Sequence, residues 1–254
     1  MLASGSSGNA ALLATENTRI LVDAGLSMKE LRRRLAAIGE DLSGIDAIVI
    51  SHEHSDHVAG LPVLARSEDV RAAIYMTHLA EPAIDWGKTR PARLEQFQSG
   101  AKFQIGDVEV QSFGIPHDAK DTVGFCFVAQ GVRIGVVTDL GYIPENVKFH
   151  VRGADLLLLE ANHQIEMLRC GPYPWAVQQR VMSRVGHLSN EAMSDYLMED
   201  LDPSTSNLVL GHLSEQNNHP AIVRMIATQA LEQRGLTTRL SIAQQRSPTE
   251  VFQY

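Results

Sequence analysis

The unbroken apolar run Ala47–Ile50 leads straight into Ser51-His52-Glu53-His54-Ser55-Asp56-His57. The run has the pattern of a strand covered on both faces. A cluster of histidines and carboxylates packed at a strand end is expensive unless it binds something. In an extended loop alternate side chains point the same way. His52 and His54 can therefore share one metal ion, while Asp56 and His57 can turn toward a second. This nitrogen and oxygen donor set suits Zn²⁺, Mn²⁺ or Fe.

Two ions need more ligands than one loop supplies. Asp23 ends the apolar stretch before Ala24-Gly25, and His117 follows Val108–Phe113 in Ile115-Pro116-His117-Asp118. Asp139 ends Gly135-Val136-Val137-Thr138, and His212 follows Leu208-Val209-Leu210-Gly211. Each sits in a loop just after an apolar run, where α/β folds place functional groups.

The rest of the chain is consistent with one layered α/β domain over 1–254. Ala10 to Ala14 and Arg19 to Asp23 read as a hairpin. Ser27 and Glu30 have capping-box spacing, opening a helix to about Ile38 that stops at Gly39. Strands are expected at Ala73–Met76, Val108–Phe113, Phe125–Ala129, Val132–Val137, Asp155–Leu159, Leu208–Leu210 and Leu240–Ala243. Ser189 can cap a helix with Leu197 and Leu201 on one stripe. Pro220 can open another with Ile222, Met225, Ile226 and Leu231 inward.

Of the 254 residues 44% are apolar, which excludes disorder as the main state. The net charge of −8 excludes a DNA binder that works by bulk positive charge, but not an enzyme that grips phosphates locally. Two cysteines exclude a disulfide scaffold. No apolar run approaches the ~18 residues of a membrane helix. The N-terminus has no basic segment followed by an apolar one, so a cytoplasmic protein is expected. Oligomeric state is left open.

The order Asp23, His52–His57, His117, Asp139, His212 resembles the five motifs of the metallo-β-lactamase superfamily, over nearly the whole chain. The resemblance implies a four-layer αβ/βα sandwich, two mixed β-sheets flanked by helices. It implies two divalent ions, Zn or Mn with Fe also suited: His52, His54 and His117 on the first, Asp56, His57 and His212 on the second, Asp139 bridging. Asp23 would orient the ligands. Within the superfamily, Ser4-Gly5-Ser6-Ser7-Gly8-Asn9-Ala10, Thr138-Asp139-Leu140-Gly141 and Glu160-Ala161-Asn162-His163 are similar to the YycJ/WalJ branch, described as DNA exonucleases. So are Gly171-Pro172-Tyr173-Pro174-Trp175, Gly186-His187-Leu188-Ser189-Asn190 and His212-Leu213-Ser214-Glu215. This implies a phosphodiesterase acting on double-stranded DNA from the 5′ end.

The residue chemistry agrees with that expectation. Two ions ~3.5–4 Å apart can hold a bridging hydroxide and stabilise in-line attack at phosphorus. Asp56 could orient the hydroxide as well as ligate, and His187 is the candidate donor of a proton to the leaving oxygen. The alternative is a hydrolase of a small substrate (a thioester, lactone or cyclic nucleotide), because one such site serves many substrates. A non-catalytic metal-binding module would show missing ligands, and none is missing.

Most of the weaker signals have two readings. His163 is either substrate-facing or a partly exposed loop residue, and Glu160 either bonds a ligand histidine or anchors the chain. His78, His150 and His219 read as surface residues, and Cys126 as buried and inert. The Ser4–Gly8 run is either an anion nest or a flexible turn. Arg32, Arg33 and Arg34 read as a solvated face, with DNA contact as the sharper alternative. Arg169, Arg180 and Arg184 with Tyr173 and Trp175 form a stacking rim, or else Trp175 and Val181 pack onto the core.

Overall fold

The computed structural model describes residues 1–88 and 90–254. Two mixed β-sheets are flanked by helices. The first has five strands, β1 (Ala11–Ala14), β2 (Arg19–Val22), β3 (Ala47–Val49), β4 (Ala73–Thr77) and β5 (Leu94–Phe97), in that spatial order. β1 and β2 form the expected antiparallel hairpin, and the other neighbours are parallel.

The second sheet has seven strands. They are β6 (Lys102–Ile105), β7 (Val108–Gly114), β8 (Val123–Ala129), β9 (Val132–Val137), β10 (Leu156–Glu160), β11 (Asn207–Gly211) and β12 (Arg239–Ile242). Their order is β12-β11-β10-β9-β8-β7-β6, and β9 to β12 are parallel. Every residue of β3 and of β10 is buried, as continuous apolar runs require.

Backbone contacts divide the chain into two compact units. The first comprises 1–112, 119–123 and 244–254, and the second 113–118 and 124–243. Each has its own core. Leu21, Ile48, Leu31 and Leu35 are central in the first, and Phe113, Val137, Leu159, Leu197 and Leu210 in the second.

Helix α1 (Met28–Ala36) starts at Ser27, whose hydroxyl accepts from Glu30 N at 3.3 Å. Only half of a capping box forms, because the Glu30 carboxylate pairs with Arg33 and Arg34. The short helices α2 (Ser55–Val58) and α3 (Leu61–Leu64) follow β3, and α4 (Glu145–Val151) follows β9. After β10 come α5 (Ile165–Cys170), α6 (Trp175–Val181), α7 (Asn190–Glu199) and α8 (Pro220–Gln233). Ser189 caps α7 by accepting from Ala192 N.

Several expectations are corrected. The inner stripe of α8 is Val223, Ala227, Ala230 and Leu231, and Met225 is 62% exposed, because the helix phase set at Pro220 turns it outward. Arg32 and Arg33 are exposed, as a solvated face requires, but Arg34 is not. Arg34 is buried and donates to the carbonyls of Leu2 and Gln245 at 3.0 and 2.9 Å, while Arg32 pairs with Asp69. The Ser4–Gly8 run is neither a nest nor a loose turn, since the N–H groups of Ser4, Gly5, Ser7 and Gly8 all donate within the protein. His150 is half-buried and stacked on Phe113, whereas His78 and His219 are exposed. Cys126 is fully buried.

Candidate functional site

In the first unit the site is built from the ends of β2 and β3. Asp23 follows β2 in the left-handed region, φ 61°. Its carboxylate accepts from Ser51 N at 2.8 Å and Ser51 Oγ at 3.0 Å, and meets His57 Nδ1 at 2.8 Å. Ser51 Oγ also lies 3.0 Å from His52 Nδ1. Two buried imidazoles are therefore oriented by one buried Asp–Ser pair. The His52 ring centroid stands 4.2 Å from that of His57 and 4.7 Å from that of His54.

Two chain crossings fix this loop. Asn9 Nδ2 lies 3.1 Å from Asp56 Oδ2 and 3.0 Å from His57 Nε2, while its Oδ1 accepts from Gly5 N at 2.8 Å. The Asp23–Gly25 turn is hydrogen-bonded to the same loop through Ala24 N to His57 O. Gly25 packs so closely there that a Cβ would stand 1.7 Å from Asp56 O.

The second unit gathers its residues at the carboxyl ends of the parallel strands β9, β10 and β11, the edge where such sheets hold ligands. Asp139 and His212 follow β9 and β11 with φ 63° and 56°. Left-handed non-glycine backbone costs on the order of 1–3 kcal/mol per residue and gathers at functional sites. Glu160, at the end of β10, is fully buried. Its Oε1 lies 2.8 Å from both His187 Nδ1 and His212 Nδ1, and its Oε2 accepts from Leu140 N and Leu188 N. Asp139 Oδ1 is 3.4 Å from His212 Nδ1. Donor atoms of Asp139, Glu160, His187 and His212 all lie within 4.8 Å of one another. His117 Nδ1 meets Gly186 O at 3.1 Å, and its ring is 5.1 Å from that of His187.

Charge follows burial and pairing. Desolvation pushes the pKa of His117 down, against the pull of Asp139. Burial would also lower that of His187, but the Glu160 carboxylate, by charge and hydrogen bond, outweighs it and holds it above the ordinary value. Glu160 is kept ionised in spite of burial by His187 and His212.

The first unit thus brings together Asp23, His52, His54, Asp56 and His57, and the second His117, Asp139, Glu160, His187 and His212. His163 is 2% exposed, so it is not an exposed loop residue. Its backbone bridges to Ser189, and its Nδ1 has no hydrogen-bond partner among the described residues. Trp175 does not pack onto the core, because it is 68% exposed. The sequence reading left Ser51, Asn9, Asn162, Asp118 and the Gly186 carbonyl without a role. Asn162 Nδ2 donates to His212 O at 2.8 Å, and Asp118 stands 3.4 Å from His117 Nε2. Ser51 adjoins the histidine cluster and Asn9 lies in the Ser4–Ala10 motif, so both were within reach of the sequence. Asp118 likewise adjoins His117, and Asn162 and Gly186 lie in quoted motifs, but the pairing of Asn162 with His212 and of Gly186 O with His117 depends on distant chain crossings.

The donor set fits divalent ions. The Nδ1 atoms of His52, His57, His117 and His212 meet Ser51, Asp23, Gly186 O and Glu160, the oxygen-to-imidazole pattern that surrounds metal-ligating histidines. Residues 18–212 match the model of the Beta-lactamase superfamily domain. The chain belongs to the metallo-β-lactamase superfamily. As a superfamily member it is a metal-dependent hydrolase. It is 35% identical over 237 residues to the exodeoxyribonuclease YycJ of Bacillus anthracis, covering 92% of this chain and 89% of that one. To the exodeoxyribonuclease WalJ of Streptococcus pneumoniae serotype 2 it is 39% identical over 238 residues, covering 93% and 88%. The fold matches that of the metallo-β-lactamase fold protein YhfI from Bacillus subtilis, with a TM-score of 0.72, 17% identity and coverage of 96% and 95%. Among the described residues no helix is long and apolar enough to cross a membrane.

Proposed function

We propose that this superfamily member is a metal-dependent exonuclease that hydrolyses double-stranded DNA from the 5′ end, with residues 1–254 acting as one hydrolase domain. The observation that carries the reading is the set of four imidazoles whose Nδ1 atoms are engaged by oxygen, so that Nε2 would be the nitrogen left to coordinate. His52, His54 and His117 would hold one divalent ion, Asp56, His57 and His212 a second, and Asp139 would bridge them. Zn²⁺ and Mn²⁺ both accept these donors. When bound, such a pair supplies Lewis acidity and a water of lowered pKa.

The chain's own residues do the rest. Asp56, held by Asn9 Nδ2 at 3.1 Å, orients the attacking water. His187 donates its Nε2 proton to the leaving oxygen while Glu160 stabilises the imidazolium through Nδ1. The charge and hydrogen bond of Glu160 favour the protonated form of His187 against its burial. Asp23 and Ser51 hold the ligand rings. The relatives named as exodeoxyribonucleases, each matched over most of its length, support DNA as the substrate. The net charge of −8 favours the alternative, a hydrolase of a small thioester, lactone or cyclic nucleotide.

The test is cleavage of end-labelled linear duplex, single-stranded DNA and RNA with Mn²⁺ and separately Zn²⁺. The double variant Asp56→Ala, His57→Ala is the control. Nucleotide release from duplex that vanishes in the control is the expected result, and the label position reads the polarity. Absence of cleavage with both metals verified as bound rejects the nuclease reading.

A further inference from the structure

The segment between α5 and α7 holds a feature that hydrolysis at the metals does not use. Trp175, the first residue of α6, is 68% exposed, and Val177, two residues on, and Val185, after the helix, are 39% and 44% exposed. From Arg169 to His187 the chain has Arg169, Arg180 and Arg184 and no acidic residue, although the whole chain carries −8. All three arginines are exposed. An open indole with arginines and no carboxylate among its sequence neighbours is the composition of a surface that stacks bases and contacts phosphates.

The segment is also rigidly joined to the candidate site. Buried Gln178 donates to Tyr173 O at 2.9 Å, which fixes the entry to α6. Arg180, in the last turn of α6, donates to Asp118, next to His117. Gly186 closes the turn onto α6 so tightly that a Cβ would meet Arg180 O and Val181 O at 2.2 Å, and its carbonyl meets His117 Nδ1. Arg180 is thus committed to Asp118. Arg184 is laid over the Tyr142 ring at 3.9 Å from its centroid. From Trp175 to Arg180 the helix rises ~7.5 Å, about two nucleotide steps of ~3.4 Å.

We propose that Trp175 is the stacking platform for a base near the end of the DNA substrate, with Arg169 and Arg184 contacting its phosphates. The proposal rests on the nuclease reading and names the surface that would hold the DNA end. Base stacking on an aromatic face is indifferent to sequence, which suits an enzyme that digests from an end.

The test uses the full chain and a phosphorothioate duplex that resists cleavage. The chain has two tryptophans, and Trp86 is buried with its Nε1 donating to Glu81 at 2.8 Å, so fluorescence quenching by added duplex reports Trp175. Quenching is expected in the wild type. In steady-state digestion, Trp175→Ala is expected to raise KM for DNA by about 5-fold to 100-fold, the loss falling in KM rather than kcat, with Trp175→Phe restoring most of it. Wild-type cleavage of DNA without quenching, or a Trp175→Ala variant with unchanged KM, overturns the platform and leaves the nuclease reading standing. A wild type that cleaves no nucleic acid overturns both.

Discussion

Glu160 Oε1 and His187 Nδ1 lie 2.8 Å apart, and His212 Nδ1 stands at the same distance from the same oxygen. One buried carboxylate therefore sets the orientation of a proposed metal ligand and of the proposed proton donor. Glu160→Gln keeps the shape and removes the charge. Metal affinity and turnover are both expected to fall by about 10-fold to 100-fold, the usual effect of losing such a partner. Metal content after dialysis and kcat at saturating metal separate the two losses. Retention of both at wild-type levels would reduce Glu160 to a chain anchor.

His187→Ala tests the proton donor by changing the leaving group. On DNA the alkoxide leaving group needs a proton, and the variant is expected to lose about 10²- to 10⁴-fold in kcat. On bis(p-nitrophenyl) phosphate the leaving phenolate needs none, and the loss should be much smaller. Equal losses on both substrates would mean that His187 shapes the site and donates no proton.

Asp23→Ala removes the carboxylate that both Ser51 and His57 use. The Ser51 N–H is then buried without its acceptor, and the His57 ring loses its anchor. A fall of about 10-fold or more in metal affinity is expected. Loss of the Ser51 hydrogen bond adds about 1–3 kcal/mol of destabilisation. Metal titration and urea unfolding of the same preparation read the two effects. A variant with normal metal affinity would show that His57 is oriented without Asp23.

Removal of metal by a chelator should abolish hydrolysis and lower Tm. A ligand at 100 times its Kd contributes about 2.7 kcal/mol, and for a chain of this size that corresponds to roughly 5–10 °C. Differential scanning before and after chelation measures it, with recovery on adding Mn²⁺ or Zn²⁺. An unchanged Tm on verified metal loss would contradict binding by folded-state residues alone.

Much of this arrangement was legible in the sequence, and the reason is local. His52–His57 follows a continuous apolar strand, and Asp139 and His212 follow two more, so motif and strand end coincide. The helix from Pro220 was equally visible, but its inner stripe was shifted by about one residue, because Ile222 and Met225 are as apolar as the residues that face inward. The strands Leu94–Phe97 and Lys102–Ile105 were missed because they are short, polar and largely exposed. Arg34 looked like a surface charge, since only the folding of Leu2 and Gln245 against it provides carbonyl partners. The left-handed backbone at Asp23, Asp139 and His212 gave little signal, because glycine is the usual residue there, although Asp and His are among the other residue types that adopt it most readily.

His163 gives a pH-dependent signature of the fold. Its side chain is buried, and desolvation lowers its pKa from 6.5 to about 4. The facing charged groups act in opposite senses, Glu160 raising it and His187 lowering it. The folded protein therefore leaves His163 neutral at a pH where the unfolded chain binds a proton. Because the unfolded state binds more protons, stability rises with pH across this window and is lost as pH falls from about 6.5 toward 4. Between pH 7 and pH 5 the loss from this one group is about 2 kcal/mol. In His163→Gln that component is absent, while every other titrating group is shared. Urea unfolding of both proteins at pH 7 and pH 5 should therefore show the wild type losing about 2 kcal/mol more than the variant. Parallel losses would mean that His163 titrates near its ordinary value and gains a partner or solvent in the folded protein.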